Sequence, residues 1–169
     1  MQLSLNGETP NLTVFDVAKR YRYSLSRRIR PSGERRCLFV MLNPSTADEW
    51  ELDPTVRRCV GYAQSWGYDW LDVANIFAWR ATDPYEMLKV ADPIGEGNDA
   101  AILKLAWAVK EVICAWGIHG GYKGRGAAVR KMLVGAGIQP KCLGLTASGE
   151  PKHPLYLRAD LKPMPLEVI

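Results

Sequence analysis

Two asparagines and two histidines carry most of the chemistry that can be read along this chain. Asn43 stands in Leu42-Asn43-Pro44-Ser45-Thr46-Ala47-Asp48, directly after the apolar run Cys37 to Leu42. Pro44 removes a backbone donor and stiffens the turn. A neutral side-chain amide accepts and donates at once, which suits holding a water or the edge of a heterocycle. Asn-Pro-Ser-Thr also forms Asx and ST turns in any loop, so both roles fit. Asn75 stands likewise in Val73-Ala74-Asn75-Ile76-Phe77-Ala78-Trp79-Arg80. An amide with an aromatic face beside it is how an unstacked base is read and stacked, which makes Phe77 and Trp79 candidates for the stack. Phe and Trp equally fill cores, and Arg80 has Asp83 close by in sequence. The only histidines are His119 and His153, so a catalytic imidazole must be one of them. Two histidines so far apart supply no paired-histidine metal motif, and no metal is expected.

Two further features bear on anions. Trp116-Gly117-Ile118-His119-Gly120-Gly121-Tyr122-Lys123-Gly124-Arg125-Gly126 is a glycine-rich stretch directly ahead of a helical pattern. Backbone N–H groups there can hold an anion with help from Lys123 and Arg125. It matches neither the P-loop nor the dinucleotide fingerprint, and a flexible loop explains it as well. Residues 19–36 hold eight basic side chains against the single Glu34, a net +7 that leaves −3 to the rest of a chain whose total is +4. Arg20, Arg22, Arg28 and Arg30 in this stretch are candidate phosphate contacts, since clustered charge attracts polyanions. The alternative is an edge strand kept from aggregating by its charge.

These residues need elements to hold them. Tyr21 to Ser26 alternates with period two, the pattern of a strand with one wet face, and Pro31-Ser32-Gly33 ends it. Cys37 to Leu42 is continuously apolar, as in a strand covered on both faces. Asp53-Pro54 reads as an N-cap with proline at the first helical position, opening a helix that buries Val56, Cys59, Val60 and Ala63 and stops at Gly67. Asp69 to Phe77 is a second buried strand, and Asp83-Pro84 caps a short helix ending near Lys89. Asn98 to Val109 is a longer helix, Glu111 to Trp116 a third strand, Gly126 to Gly135 a helix and Lys141 to Leu145 a fourth strand. The proline-bearing tail is expected to be irregular except near Leu155 to Leu157. Strands alternating with helical crossovers give a three-layer α/β/α sandwich around a four-stranded parallel sheet, with an extra basic strand at its N-terminal side. In such sheets ligands bind beyond the carboxyl ends of the strands, which is where Asn43, Asn75 and His153 fall.

A chain of 169 residues, 47% hydrophobic and 24% charged, is expected to form one domain over 1–169 with a core that needs no disulfide or structural metal. Its apolar runs are far shorter than the roughly 20 residues of a membrane span, and no signal segment opens it, so a cytoplasmic location away from membranes is expected. Cys37, Cys59, Cys114 and Cys142 form no Cys-x-x-Cys pair and read as small core residues with protonated thiols.

Together, Leu38 to Asp48, Asp53-Pro54-Thr55, Asn75-Ile76-Phe77-Ala78 and the run Gly149 to Leu155 resemble a family of small bacterial proteins known only as a domain of unknown function. The resemblance covers nearly the whole chain. At one remove the arrangement is similar to the uracil-DNA glycosylase superfamily, whose members are α/β/α sandwiches around a four-stranded parallel sheet. Their first strand ends in Gly-x-Asp-Pro or Gly-x-Asn-Pro, which positions the hydrolytic water, and Met41-Leu42-Asn43-Pro44 resembles the Asn form. An asparagine closing a middle strand reads the base in some members, the place of Asn75. A late His-Pro-Ser grips the DNA strand and the base carbonyl, the place of His153-Pro154.

The resemblance implies N-glycosidic hydrolysis of a flipped or modified base, with Asn43 and His153 catalytic and Asn75 reading the base edge. It implies DNA or a nucleotide as partner and no cofactor. Met41 stands where that motif has glycine, Leu155 where it has serine, and position 43 is not acidic, so strong uracil excision is not expected. Two other roles fit the same residues. One is a module that binds a base, nucleotide or nucleic acid without cleaving it. The other is an enzyme of free or modified nucleotides that holds phosphate on the Gly117 to Gly126 loop.

Overall fold

The uninterrupted apolar run after Arg36 becomes the middle of the sheet, because only a strand flanked by strands and covered on both faces can bury every side chain it has. The computed structural model describes residues 12–46 and 53–167; Ala47 and Asp48 of the first motif lie outside the described residues. Strands β1 (Leu12–Phe15), β2 (Arg22–Arg28), β3 (Arg36–Met41), β4 (Trp70–Asn75), β5 (Glu111–Cys114), β6 (Lys141–Cys142) and β7 (Met164–Pro165) form one sheet in the order β1-β2-β4-β3-β5-β6-β7. The β4–β3, β3–β5 and β5–β6 pairs are parallel. The β1–β2, β2–β4 and β6–β7 pairs are antiparallel.

The sheet is therefore seven-stranded and mixed, where four parallel strands with one extra strand were expected. Strand β1 and the tail strand β7 were not foreseen. Asp16 makes the β1–β2 reversal: its carboxylate accepts from Tyr21 N at 2.7 Å and its carbonyl from Lys19 N at 3.0 Å. So short a connection can only give an antiparallel pair.

Helices α1 (Pro54–Ser65), α2 (Pro84–Leu88), α3 (Asn98–Trp107) and α4 (Arg125–Gly135) follow the pattern read from the sequence. Asp53 caps α1, accepting from Val56 N at 2.8 Å, and Asp83 caps α2, accepting from Tyr85 N at 2.9 Å. In both, proline occupies the first turn, where no N–H is needed. The two faces of β3 divide the core. Cys37, Phe39 and Met41 pack with Val56, Cys59, Tyr62 and Ala63 of α1. Leu38 and Val40 pack with Met87 of α2, Ile102 and Ala106 of α3, and Val129 and Leu133 of α4. Helices thus cover both faces of the sheet. All four cysteines are buried and free, and burial pushes every thiol pKa up.

Strand β6 stops at Cys142, short of the expected Leu145. Gly144 adopts φ 133°, open to glycine, and Leu145 bridges back to Pro151 around the Thr146 to Gly149 turn. This turn sets Pro151, Lys152 and His153 next to the end of β5, with Gly117 N donating to Pro151 O at 2.8 Å. Among the described residues no helix is long and apolar enough to cross a membrane.

Candidate functional site

Strand β3 has β4 on one side and β5 on the other, so the chain leaves it first toward one neighbour and later returns to the other. Connections that part in this way leave a crevice beyond the carboxyl ends of the strands. A cavity of about 480 Å³ occupies that position. Asn43, Asn75 and His153 all line it, together with Arg22, Asp53, Trp116 and His119. Its size is within the range of small-ligand sites. A larger groove of about 670 Å³ lies between α1 and residues 155–159 and contains none of the three.

Asn43 is held by its nitrogen. Nδ2 donates to Ala81 O at 2.8 Å and to Pro44 O at 3.2 Å, while Ala81 N donates back to Pro44 O at 2.9 Å. The end of an amide that faces two carbonyls must be its NH₂, so Oδ1 is the end left to accept.

Asn75 is 2% exposed at the last position of β4. Its carbonyl accepts from Asn98 Nδ2 at 2.9 Å. Its side-chain amide has no hydrogen-bond partner among the described residues, and it borders the cavity. Both ends of this amide are thus left to hydrogen-bond within the cavity.

His153 Nδ1 accepts from Leu155 N at 3.3 Å, which puts the proton of the neutral ring on Nε2. Burial pushes its pKa down, with Asp53 pulling the other way, so the ring is a neutral donor at pH 7. His119 also borders the cavity, its ring edge-on to Tyr85 at 5.2 Å. Both histidines that the sequence offered therefore stand at one site.

Asp53 and Trp116 were read from the sequence only as a helix cap and a strand end. Asp53 Oδ2 also accepts from Ser45 Oγ at 2.9 Å, which ties the cap of α1 to the Asn43 loop. Trp116 is 1% exposed and donates to Glu150 Oε2 at 2.6 Å. Its signal was present in the sequence, since it closes the apolar run Glu111 to Trp116, although the strand itself, β5, ends at Cys114.

Other expected residues are elsewhere. Phe77 is 1% exposed in the core, 6.2 Å from the Tyr122 ring, and Trp79 packs edge-on to Tyr21 at 5.3 Å. Neither lines the cavity; beyond Asn75 the chain runs on beside the end of β3, with Ile76 N donating to Met41 O and Phe77 N to Leu42 O. Arg125 is buried and spends its guanidinium on Ile76 O at 2.8 Å and Asp99 Oδ1 at 2.5 Å. Lys123 is exposed with φ 48°, close to the Tyr122 ring. The glycine-rich stretch is a 3₁₀ segment, Ile118–Gly124, interrupted at Tyr122 and Lys123, and Gly120 lies against the Trp116 ring.

The basic stretch is divided rather than gathered. Arg28 stacks on Trp70 at 4.8 Å and donates to Glu34, Arg30 O and Pro31 O. Arg36 forks onto the fully buried Asp72 at 2.7 and 2.8 Å, and Arg30 lies 3.9 Å from Asp69. Arg20 is exposed, whereas Arg22 is 5% exposed and borders the cavity. Among the described residues no group of three or more His, Cys, Asp or Glu side chains could hold a metal ion.

A family model described as "Protein of unknown function (DUF1643)" matches residues 22–155, from the start of β2 through the loop that carries His153. No curated protein and no solved structure matches the chain.

Proposed function

This chain belongs to the DUF1643 family, and we propose that it handles a nucleobase in the cavity at the carboxyl ends of β3, β4 and β5, with N-glycosidic hydrolysis as the reaction. One observation carries the reading: Asn43, Asn75 and His153, drawn from three distant parts of the chain, border a single 480 Å³ cavity. Parallel strands with helices on both faces are also what a resemblance to the uracil-DNA glycosylase superfamily implies.

In this reading Asn43 Oδ1 orients the attacking water, and the unpaired Asn75 amide meets the donor and acceptor edge of the base. Water adds to C1′ through its oxygen as the C1′–N bond breaks, the bonding pair leaves with the base, and the proton that the water gives up ends on the base. The neutral His153 Nε2–H donates to the base oxygen where negative charge collects. Asp53 supplies a fixed carboxylate near the positively charged sugar, the kind of charge that position 43 lacks.

A second reading, binding without cleavage, is favoured by one feature. Each Asp53 oxygen already accepts a hydrogen bond, from Val56 N and from Ser45 Oγ, which ties this carboxylate to the helix cap and the Asn43 loop and makes it a weaker base toward a water.

Oligonucleotides carrying one deaminated or alkylated base, assayed for free base by mass spectrometry, separate the two. Hydrolysis predicts base release by the natural protein and none by Asn43→Ala, with oligonucleotide binding retained. Binding without release establishes the second reading. If neither base, nucleoside nor oligonucleotide raises the melting temperature, both are wrong.

A further inference from the structure

We propose that Arg22 is an oxyanion site within the cavity and that the ligand is a nucleotide whose phosphate rests on this guanidinium. The nucleotide half rests on the base-handling reading; the oxyanion half stands on Arg22 itself.

Arg22 opens β2, where its backbone N donates to Ala78 O at 2.9 Å. The residue is 5% exposed and lines the same cavity as Asn43, Asn75 and His153. Its Nε is enclosed without a hydrogen-bond partner, and among the described residues nothing accepts from the rest of the guanidinium. Other shielded arginines of this chain are provided for. Arg36 has Asp72, Arg28 has Glu34 and two carbonyls, and Arg125 has Asp99 and the Ile76 carbonyl.

Asp53 attracts Arg22 electrostatically but makes no ion pair with it, and its oxygens are engaged by Val56 and Ser45. Arg27 and Arg80 add positive potential at the same place. Burial, aided by these two cations and opposed by Asp53, pushes the Arg22 pKa down to about 10, which leaves it charged at neutral pH.

The enclosed Nε–H without a partner is a cost to the empty fold, and the remaining donors of the planar fork stand at the cavity. A bound oxyanion removes that cost, and charge-assisted bonds in a dry site are the strong kind. The amides of Asn43 and Asn75 and the neutral His153 suit an uncharged heterocycle, whereas Arg22 suits phosphate. A nucleotide offers both in one molecule.

The test is calorimetric and thermal-shift titration of the natural protein, Arg22→Met and Arg22→Lys at constant ionic strength. The probes are inorganic phosphate, the four 2′-deoxynucleosides, their 5′-monophosphates and a short single-stranded oligonucleotide. Arg22→Met is expected to lose about tenfold or more in affinity for the preferred monophosphate and to bind the matching nucleoside as before. Without ligand it is expected to melt at or above the natural protein, because an unpaired buried charge has gone. Arg22→Lys should keep part of the phosphate affinity as a point charge.

Tighter binding of the oligonucleotide than of any monophosphate identifies the phosphodiester as the source of the anion; the reverse identifies a free nucleotide. Unchanged monophosphate affinity in Arg22→Met overturns the site. So does a melting temperature well below the natural protein's, since the charge would then serve the fold. Nucleoside binding with no gain from phosphate removes the oxyanion site and leaves the base-handling reading standing. Arg22-dependent phosphate binding with no nucleoside binding does the opposite.

Discussion

Asn43 Nδ2 points at the Ala81 carbonyl from 2.8 Å, so the loop after β3 is tied to the residues just ahead of α2 by the same side chain that borders the cavity. The bond fixes which end of the amide is left for a ligand. Asn43→Asp preserves shape while replacing a donor with an acceptor opposite two carbonyls, Ala81 O and Pro44 O. It is expected to cost about 1–3 kcal/mol, the range for leaving such partners unsatisfied. Asn43→Ala should cost less, because it removes the donor without adding repulsion. Urea denaturation of both variants, with unchanged slope, reads the order. An aspartate as stable as the natural residue would mean that the amide is not held by its nitrogen.

Acid sensitivity should come in part from His153. Burial pushes its folded pKa below the free-imidazole value of 6.5, so the unfolded chain binds the proton more readily. The stability this ring contributes is present above pH 6.5 and is lost as pH falls from there through the folded value. Asp53, at the same cavity, favours protonation and so opposes the effect of burial. The natural protein is expected to lose melting temperature progressively from pH 7 to pH 5, and His153→Gln should show a shallower slope over that interval. Equal slopes would place His153 in water. A steeper slope in the variant would reverse the sign of its shift.

The positions of Asn43, Asn75 and His153 at one end of a sheet were legible because parallel strands share a direction, and an apolar run that stops abruptly marks the end that matters. The Asp53 and Asp83 caps were legible for a local reason, an acid followed by proline. What the sequence hid was non-local. Strand β1 has two half-buried and two exposed residues, too weak a pattern to stand out, and exists by pairing with β2. Phe77 and Trp79 resemble a stacking pair in sequence, but the end of β4 at Asn75 sends them into the core and against Tyr21. The run of arginines looked like one surface, yet a strand alternates its faces, and partners such as Asp72 lie more than thirty residues away.

The glycine-rich stretch offers the sharpest contrast between a packing role and a phosphate-holding one. A Cβ at Gly120 would fall 1.8 Å from Trp116 Cδ1 and 2.4 Å from its Nε1, a contact that no rotamer change of a fully buried indole relieves. At Gly121 the nearest atom is Glu150 Oε1 at 3.6 Å, ordinary van der Waals distance. If these glycines exist for the indole, Gly120→Ala should cost roughly 3 kcal/mol or more, as overpacking does, and should alter near-ultraviolet circular dichroism from Trp116. Gly121→Ala should be neutral or stabilise by about 0.4–1 kcal/mol through the unfolded state. A phosphate cradle built on backbone N–H groups predicts a different signature: both alanines would leave the fold largely intact and both would weaken phosphate binding. Measuring stability and phosphate affinity for the same two variants decides between them, because packing acts at Gly120 alone and a cradle acts at both.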